Sequence, residues 1–143
     1  MVNPFNDEYF MKQALNEANI AFESGEVPIG VVIVAKKQII ARSHNRTEQL
    51  NDVTAHAEIQ AITAASEYLG SKYLKDCTMY STLEPCHMCA GALYWSQIDK
   101  VVYSARDERR KDNNLSQKIY HPRTLVVNGL LADESGKLLK AKI

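Results

Sequence analysis

The sequence predicts an α/β protein in three layers, α/β/α, with a mixed five-stranded sheet between helices, and two observations carry that expectation. Through the second half of the chain, β-branched runs alternate with apolar stripes at helical spacing, which calls for crossover connections and parallel strands. In the first half, two β-branched runs are separated only by Lys36-Lys37, the mark of an antiparallel hairpin. Parallel pairing beside one hairpin gives a mixed sheet.

The elements follow in order. Asp7 to Ser24 sets Phe10, Met11, Leu15, Ala18, Ala21 and Phe22 at helical intervals, and Gly25 ends the stripe. Ile29 to Ala35 and Gln38 to Ser43 are the hairpin strands. Thr54 is the expected N-cap of an Ala-rich helix from Ala55 to Tyr68, which stops before Gly70. Thr78 to Leu83 is the next strand and delivers the chain into a helix from Cys86 to Trp95. Pro85 suits the lead-in to that helix, where its missing N–H costs nothing, and it biases Glu84 toward extended backbone. Val101 to Tyr103 and Thr124 to Val127 are two further strands. Between them lie the charged segment Arg106 to Asn114 and a short helix, Leu115 to Ile119; a last helix runs from Leu131 to Lys140.

Composition is that of an ordinary globular chain: 143 residues, 45% hydrophobic and 24% charged, enough for one domain spanning 1–143 with one sizeable core. Three cysteines, an odd number, with no secretory or membrane segment, point to a reducing cytoplasm and away from a disulfide framework. Charge is uneven. Residues 1–96 hold 7 Lys+Arg against 11 Asp+Glu, net −4, and residues 97–143 hold 10 against 6, net +4. Arg106, Arg109, Arg110, Lys111, Lys118 and Arg123 could meet phosphates. Charge alone reads as well, and more simply, as solvated surface.

The chemistry concentrates in two places. His56-Ala57-Glu58 opens one apolar helical run and Pro85-Cys86-His87-Met88-Cys89 opens another. Two thiolates and one imidazole fill three corners of a zinc tetrahedron and leave the fourth for water, the arrangement of a catalytic rather than a structural site. Cys86 and Cys89, three apart, share a helix face in the first turn, where free N–H groups and the helix dipole favour thiolates. Zinc, two thiolates and a neutral imidazole sum to about zero charge, so the site tolerates burial. His56 and Glu58, two apart, converge only at a helix start. There Glu58 can shuttle protons for a water whose pKa zinc draws down to around 7. A Cys-x-x-Cys pair alone would equally fit a redox dithiol or half of a structural zinc knuckle. A structural site needs a fourth ligand, from Cys77, His44, His87 or His121. Cys77 lies up to roughly 30 Å away along an extended strand and reads as a core residue; His87 is expected to face away from the metal, and His44 and His121 to be ordinary hydrogen-bonding histidines.

His-x-Glu followed by Pro-Cys-x-x-Cys resembles the signature of the cytidine/deoxycytidylate deaminase-like zinc enzymes. Thr54-Ala55-His56-Ala57-Glu58, Thr82-Leu83-Glu84-Pro85-Cys86, Met88-Cys89-Ala90-Gly91-Ala92, Ser104-Ala105-Arg106-Asp107 and Glu26-Val27-Pro28-Ile29-Gly30 resemble the bacterial tRNA-specific adenosine deaminases in particular. The likeness runs from the first helix to Leu131-Ala132-Asp133-Glu134.

The resemblance implies the cytidine deaminase-like fold, one Zn2+ per chain on His56, Cys86 and Cys89, and Glu58 as the catalytic acid and base. It implies hydrolysis of adenosine to inosine at the wobble position of a tRNA anticodon stem-loop, by attack at C6 with protons returned to N1 and the leaving amine. Asn45 matches a residue that hydrogen-bonds the base, Val27 and Pro28 match pocket walls, and Ala57 and Asp107 match positions near the substrate. Taken alone, Asn45 would be a turn residue and Asp107 a cap or surface charge. A homodimer is implied as well, for which Ala90 to Trp95 would suit a packed helix interface. Glu108 to Asn114 departs from the family in lacking a glycine-containing loop, and the last helix offers only Lys137, Lys140 and Lys142 toward RNA. The alternative is a deaminase of a small-molecule nucleobase or nucleoside, guanine or cytosine. A zinc-containing nucleic-acid-binding module without catalysis is the third reading, and Glu58 argues against it.

Overall fold

The computed structural model describes residues 5–108 and 115–142. Its strands are β1 (Gly30–Ala35), β2 (Gln38–His44), β3 (Cys77–Leu83), β4 (Lys100–Ala105) and β5 (Leu125–Asn128), in the sheet order β2-β1-β3-β4-β5. β1 is antiparallel to β2 and β3, while β3, β4 and β5 run parallel, so the mixed sheet is as expected. The helices are α1 (Asp7–Glu23), α2 (Ala57–Leu69), α3 (His87–Ser96), α4 (Leu115–Ile119) and α5 (Ala132–Lys142).

Side-chain alternation in β1 divides the core in two. Val31 and Ile33 pack with Ala57, Ala61, Met79, Leu93 and Val101 under α2 and α3. Val32 and Val34 point the other way, to Phe10, Met11, Ala14, Tyr80 and Val102 under α1, with Leu130 and Leu131 ahead of α5 beside them. Burial on both faces is why β1 reads as a continuous apolar run instead of alternating. Each such fully buried aliphatic side chain contributes about 1.5–3 kcal/mol. α1 lies so close on β1 that a Cβ at Gly30 would overlap the Ala14 carbonyl and the Ala18 amide.

Helix and strand ends refine the expectations. α1 begins at Asn6, whose Oδ1 accepts the Tyr9 N–H at 2.9 Å. It ends in a Schellman turn: Gly25, at φ 81°, donates to Phe22 O, and Glu26 donates to Ala21 O. The hairpin turns on Lys36 and Lys37, both left-handed at φ 51° and 64°, with Ala35 paired to Gln38. Thr54 does not cap α2, contrary to expectation. Its N–H and hydroxyl both donate to Asp52 Oδ1, at 2.8 and 2.7 Å, and this local turn delays the helix until His56 takes the N-cap. Cys86 likewise stands at the N-cap of α3, one position outside the first turn where it was expected, and Cys89 falls within that turn.

The topology collects the loops that matter. Gly30 pairs with His44 and Leu83 with Ala105. The start of β1 and the ends of β2, β3 and β4 therefore share one edge of the sheet, and the segments leaving it carry the residues singled out from the sequence.

Candidate active site and metal centre

α2 and α3 both begin at this edge, with their N-cap side chains turned toward each other. His56 Nδ1 lies 3.6 Å from Cys86 Sγ and 3.5 Å from Cys89 Sγ. The three ligand atoms fall within 4.8 Å of one another, the one such cluster among the described residues. A tetrahedral zinc with Zn–S of about 2.3 Å and Zn–N of about 2.0 Å has N···S edges of roughly 3.6 Å. Both edges fit. Soft sulfur with imidazole is also the donor set zinc prefers.

Electrostatics points the same way. The Cys89 thiol donates to Cys86, and with His56 alongside this holds Cys86 down at about 3; the same hydrogen bond, together with burial, pushes Cys89 far up. Two sulfurs sharing one proton at the head of a helix are a cation-binding pair, because a dication can take the place of that proton on both.

Glu58 completes the centre. It occupies the second helical position of α2, is 3% exposed, and its Oε1 is buried with no protein partner. Desolvation raises its carboxyl from 4.5 to about 7. A carboxyl balanced between its two forms near neutrality, with one oxygen kept for something other than protein, is suited to carrying a proton.

The residues expected in the pocket lie on segments at the same edge of the sheet. Asn45 follows β2 and is 5% exposed; its N–H donates to Ile29 O at 3.1 Å, and its Oδ1 accepts the Ala57 N–H at 3.2 Å. It therefore caps α2 from outside and keeps two Nδ2 hydrogens for another acceptor. Ala57 is fully buried, and its carbonyl accepts the Ser43 hydroxyl at 2.5 Å. Val27, half-buried, and Pro28, buried, precede β1 at the same edge. Asp107 follows β4, half-buried, its N–H donating to Glu84 Oε1 at 3.1 Å. The other cysteine and histidines lie apart. Cys77 is buried in the core at the far end of β3. His44 meets Glu17 at 3.1 Å, His87 is exposed, and His121 accepts the Arg123 N–H while its ring packs 5.5 Å from Tyr94.

Three residues act here whose roles were not foreseen. Glu26, 1% exposed, accepts the Glu48 and Gln49 N–H groups at 3.1 and 2.8 Å. Glu84, 8% exposed, holds the segment after β4 through Asp107. Gln60 donates to His44 O at 2.8 Å and Ala55 O at 3.1 Å, fastening the loop that carries His56. Their one visible signal was position: Glu26 and Glu84 stand inside two of the motifs quoted above. Between the end of β4 and α5, a cavity of about 580 Å³ is lined by Leu83, Arg106, Asp107, Asn128, Asp133, Lys137 and Lys140, among others. Of the basic residues noted earlier, Arg109, Arg110 and Lys111 lie outside the described residues, as does the rest of the segment to Asn114.

A two-layered covering of a mixed sheet, with a His-Cys-Cys centre and a buried glutamate at its loop edge, defines a zinc-dependent deaminase fold and site. Residues 4–105 match the model of the cytidine and deoxycytidylate deaminase zinc-binding region, and the chain belongs to this family. It is 44% identical to the tRNA-specific adenosine deaminase of Bacillus subtilis (strain 168) over 140 residues, 94% of this chain and 87% of the relative. A solved structure from biochemical and structural studies of A-to-I editing by tRNA:A34 deaminases at the wobble position of transfer RNA superposes with a TM-score of 0.83. It is 45% identical and spans 92% of this chain and 99% of that one. A guanine deaminase structure from Bacillus subtilis is 37% identical with a TM-score of 0.68, covering 81% of this chain and 71% of its own.

Proposed function

We propose that this chain, acting as one domain, hydrolyses adenosine to inosine at the wobble position of a tRNA anticodon stem-loop. The observation that carries deamination is Glu58, a fully buried carboxyl with an unpartnered oxygen beside His56, Cys86 and Cys89. A structural metal site has no use for such a group. His56, Cys86 and Cys89 would hold one zinc ion, which would supply Lewis acidity that brings a water's pKa to about 7. Glu58 would take the first proton of the attacking water and give it to N1, then take the second from the hydroxyl formed at C6 and give it to the amine, which leaves as ammonia while C6 becomes a carbonyl. Asn45 offers its Nδ2 hydrogens to an acceptor on the base, while Val27, Pro28 and Ala57 exclude water around it. Asp107, held by Glu84 after β4, would meet the nucleotide that carries the base.

The choice of tRNA is supported by the 44% and 45% identities to tRNA-acting proteins along almost the whole chain. An anticodon loop presents an unstacked adenosine that can be flipped into a pocket at small cost. A homodimer is part of this reading. α3 exposes Met88 and Tyr94 by 38% and 37% and Trp95 by 76%, apolar surface that a second copy of the chain would cover. No described helix is long and apolar enough to cross a membrane. With three free cysteines, the cytoplasm is the compartment proposed.

The second reading, deamination of free guanine, rests on the 37% identity to a guanine deaminase. One experiment separates them: zinc-loaded protein is given an anticodon stem-loop with adenosine at the wobble position, beside free bases and nucleosides. Inosine in the stem-loop, absent with Glu58→Ala, supports the tRNA reading. Ammonia from guanine with the stem-loop untouched replaces it with nucleobase salvage.

A further inference from the structure

Glu26 is an oddly placed charge. It is the residue after the left-handed Gly25 in the Schellman turn that ends α1, a position that usually sends an apolar side chain back onto the helix. Here a carboxylate goes there, and it is 1% exposed. A buried carboxylate is retained only where hydrogen bonds compensate its lost hydration. Glu26 Oε1 accepts the Glu48 N–H at 3.1 Å and the Thr47 hydroxyl at 3.4 Å, and Oε2 accepts the Gln49 N–H at 2.8 Å. All three donors belong to the loop between Asn45 and His56. Glu26 itself heads the segment holding Val27 and Pro28.

We propose that Glu26 is a positioning residue that sets the substrate pocket, tying the wall formed by Val27 and Pro28 to the loop that starts with Asn45. The inference rests on the site proposed above but not on which base occupies it. Both oxygens are required, since each takes a different backbone N–H. An amide in the same place would offer one acceptor and turn its NH2 group against the second N–H. The metal centre is independent of this tie, because His56, Cys86 and Cys89 are held by the starts of α2 and α3. Gln60 fastens the His56 end of the loop separately.

The test is Glu26→Gln in the full zinc-loaded protein, with Glu26→Asp as a second variant that keeps both oxygens but draws them back by one methylene. Three quantities are read: zinc per chain, hydrogen exchange of the Glu48 and Gln49 amides, and kcat and KM on whichever substrate of the stem-loop and free-base panel the wild type turns over. Full zinc, loss of amide protection by tenfold or more, and KM raised about tenfold with kcat within about threefold are expected for Glu26→Gln. Glu26→Asp should fall between it and wild type. Unchanged amide protection overturns the tie. Lost protection with unchanged KM, or a loss of zinc, overturns the positioning role. Should the stem-loop prove not to be the substrate, the function proposed above fails while the exchange and zinc measurements still decide the role of Glu26. Should Glu26→Gln fail to fold, the same readings on Glu26→Asp decide it.

Discussion

Helix starts in this molecule are built in two ways. α1 begins as a helix built for stability does: Asn6 Oδ1 caps the Tyr9 N–H at 2.9 Å, and Asp7 and Glu8 sit in the first turn, where the dipole favours them. Asp7 is further tied down by the Tyr80 hydroxyl at 2.5 Å and Lys100 Nζ at 3.4 Å. α2 and α3 have no side-chain cap; their N-cap residues are His56 and Cys86, which face each other. The positions that could have stabilised those helices hold metal donors instead, and one α2 amide is satisfied from a distance by Asn45. Function has taken the N-caps of α2 and α3 and left that of α1 to stability.

That contrast can be broken by experiment, beginning where the effect is largest. Cys86→Ser removes a soft donor and supplies a good N-cap. Zinc content and deamination should both collapse, yet the metal-free variant should be more stable to denaturant than metal-free wild type by about 0.5–1 kcal/mol. Equal or lower stability of the metal-free variant would mean that α3 gives up nothing for its ligand. Glu58→Ala comes next, with zinc retained and kcat lowered about 10²–10⁴-fold; metal analysis beside product formation checks it, and near-normal turnover at full zinc would remove Glu58 from the mechanism.

At the other kind of start, Asn6→Ala should cost about 1 kcal/mol of stability in chemical denaturation while activity stays unchanged. Tyr80→Phe should cost about the same or less, from one lost hydrogen bond to Asp7. The wild type carries a pH signature there. Burial first, then Asp7, holds the Tyr80 phenol above its ordinary value of 10.0 in the folded chain. Above about pH 10 the unfolded phenol ionises while the folded one keeps its proton, so the folded state binds more protons and stability falls as pH rises. Denaturation between pH 9 and 11 should show that decline in wild type and a shallower one in Tyr80→Phe.

Local patterns were readable because they depend on neighbours in sequence. Gly25 marked the end of α1 because only a left-handed residue makes the Schellman turn, and Leu115–Ile119 was read to the residue. The mixed pairing, parallel strands beside one hairpin, followed from which runs were separated by helices, while the strand order came only from the fold. The start of α2 was misplaced because Asp52, two residues before Thr54, competes for the groups that would have capped it. The metal donors stood out since zinc needs particular atoms, and Cys-x-x-Cys at a helix start is a local geometry. Glu26 and Glu84 stayed hidden, since their partners are 22 and 23 residues away or close to it and a single carboxylate carries no sign of them. Asn45 alone looked like a turn residue; that its amide also caps α2 depends on β2 ending beside that helix.

The sequence by itself determined the chemistry: which atoms are present to hold a metal, that a carboxylate accompanies them, and that helices and strands alternate so as to make a mixed sheet. These are matters of residue type and short-range spacing. Tertiary structure decided convergence and environment. The antiparallel pairing of β1 with β3 brings segments far apart in the chain to one edge, setting His56 Nδ1 3.6 and 3.5 Å from two sulfurs some thirty residues on. Burial under the sheet edge then takes Glu58 out of water and lifts its carboxyl to about 7. Desolvation is a property of everything packed around a group, and no local pattern in a chain contains it.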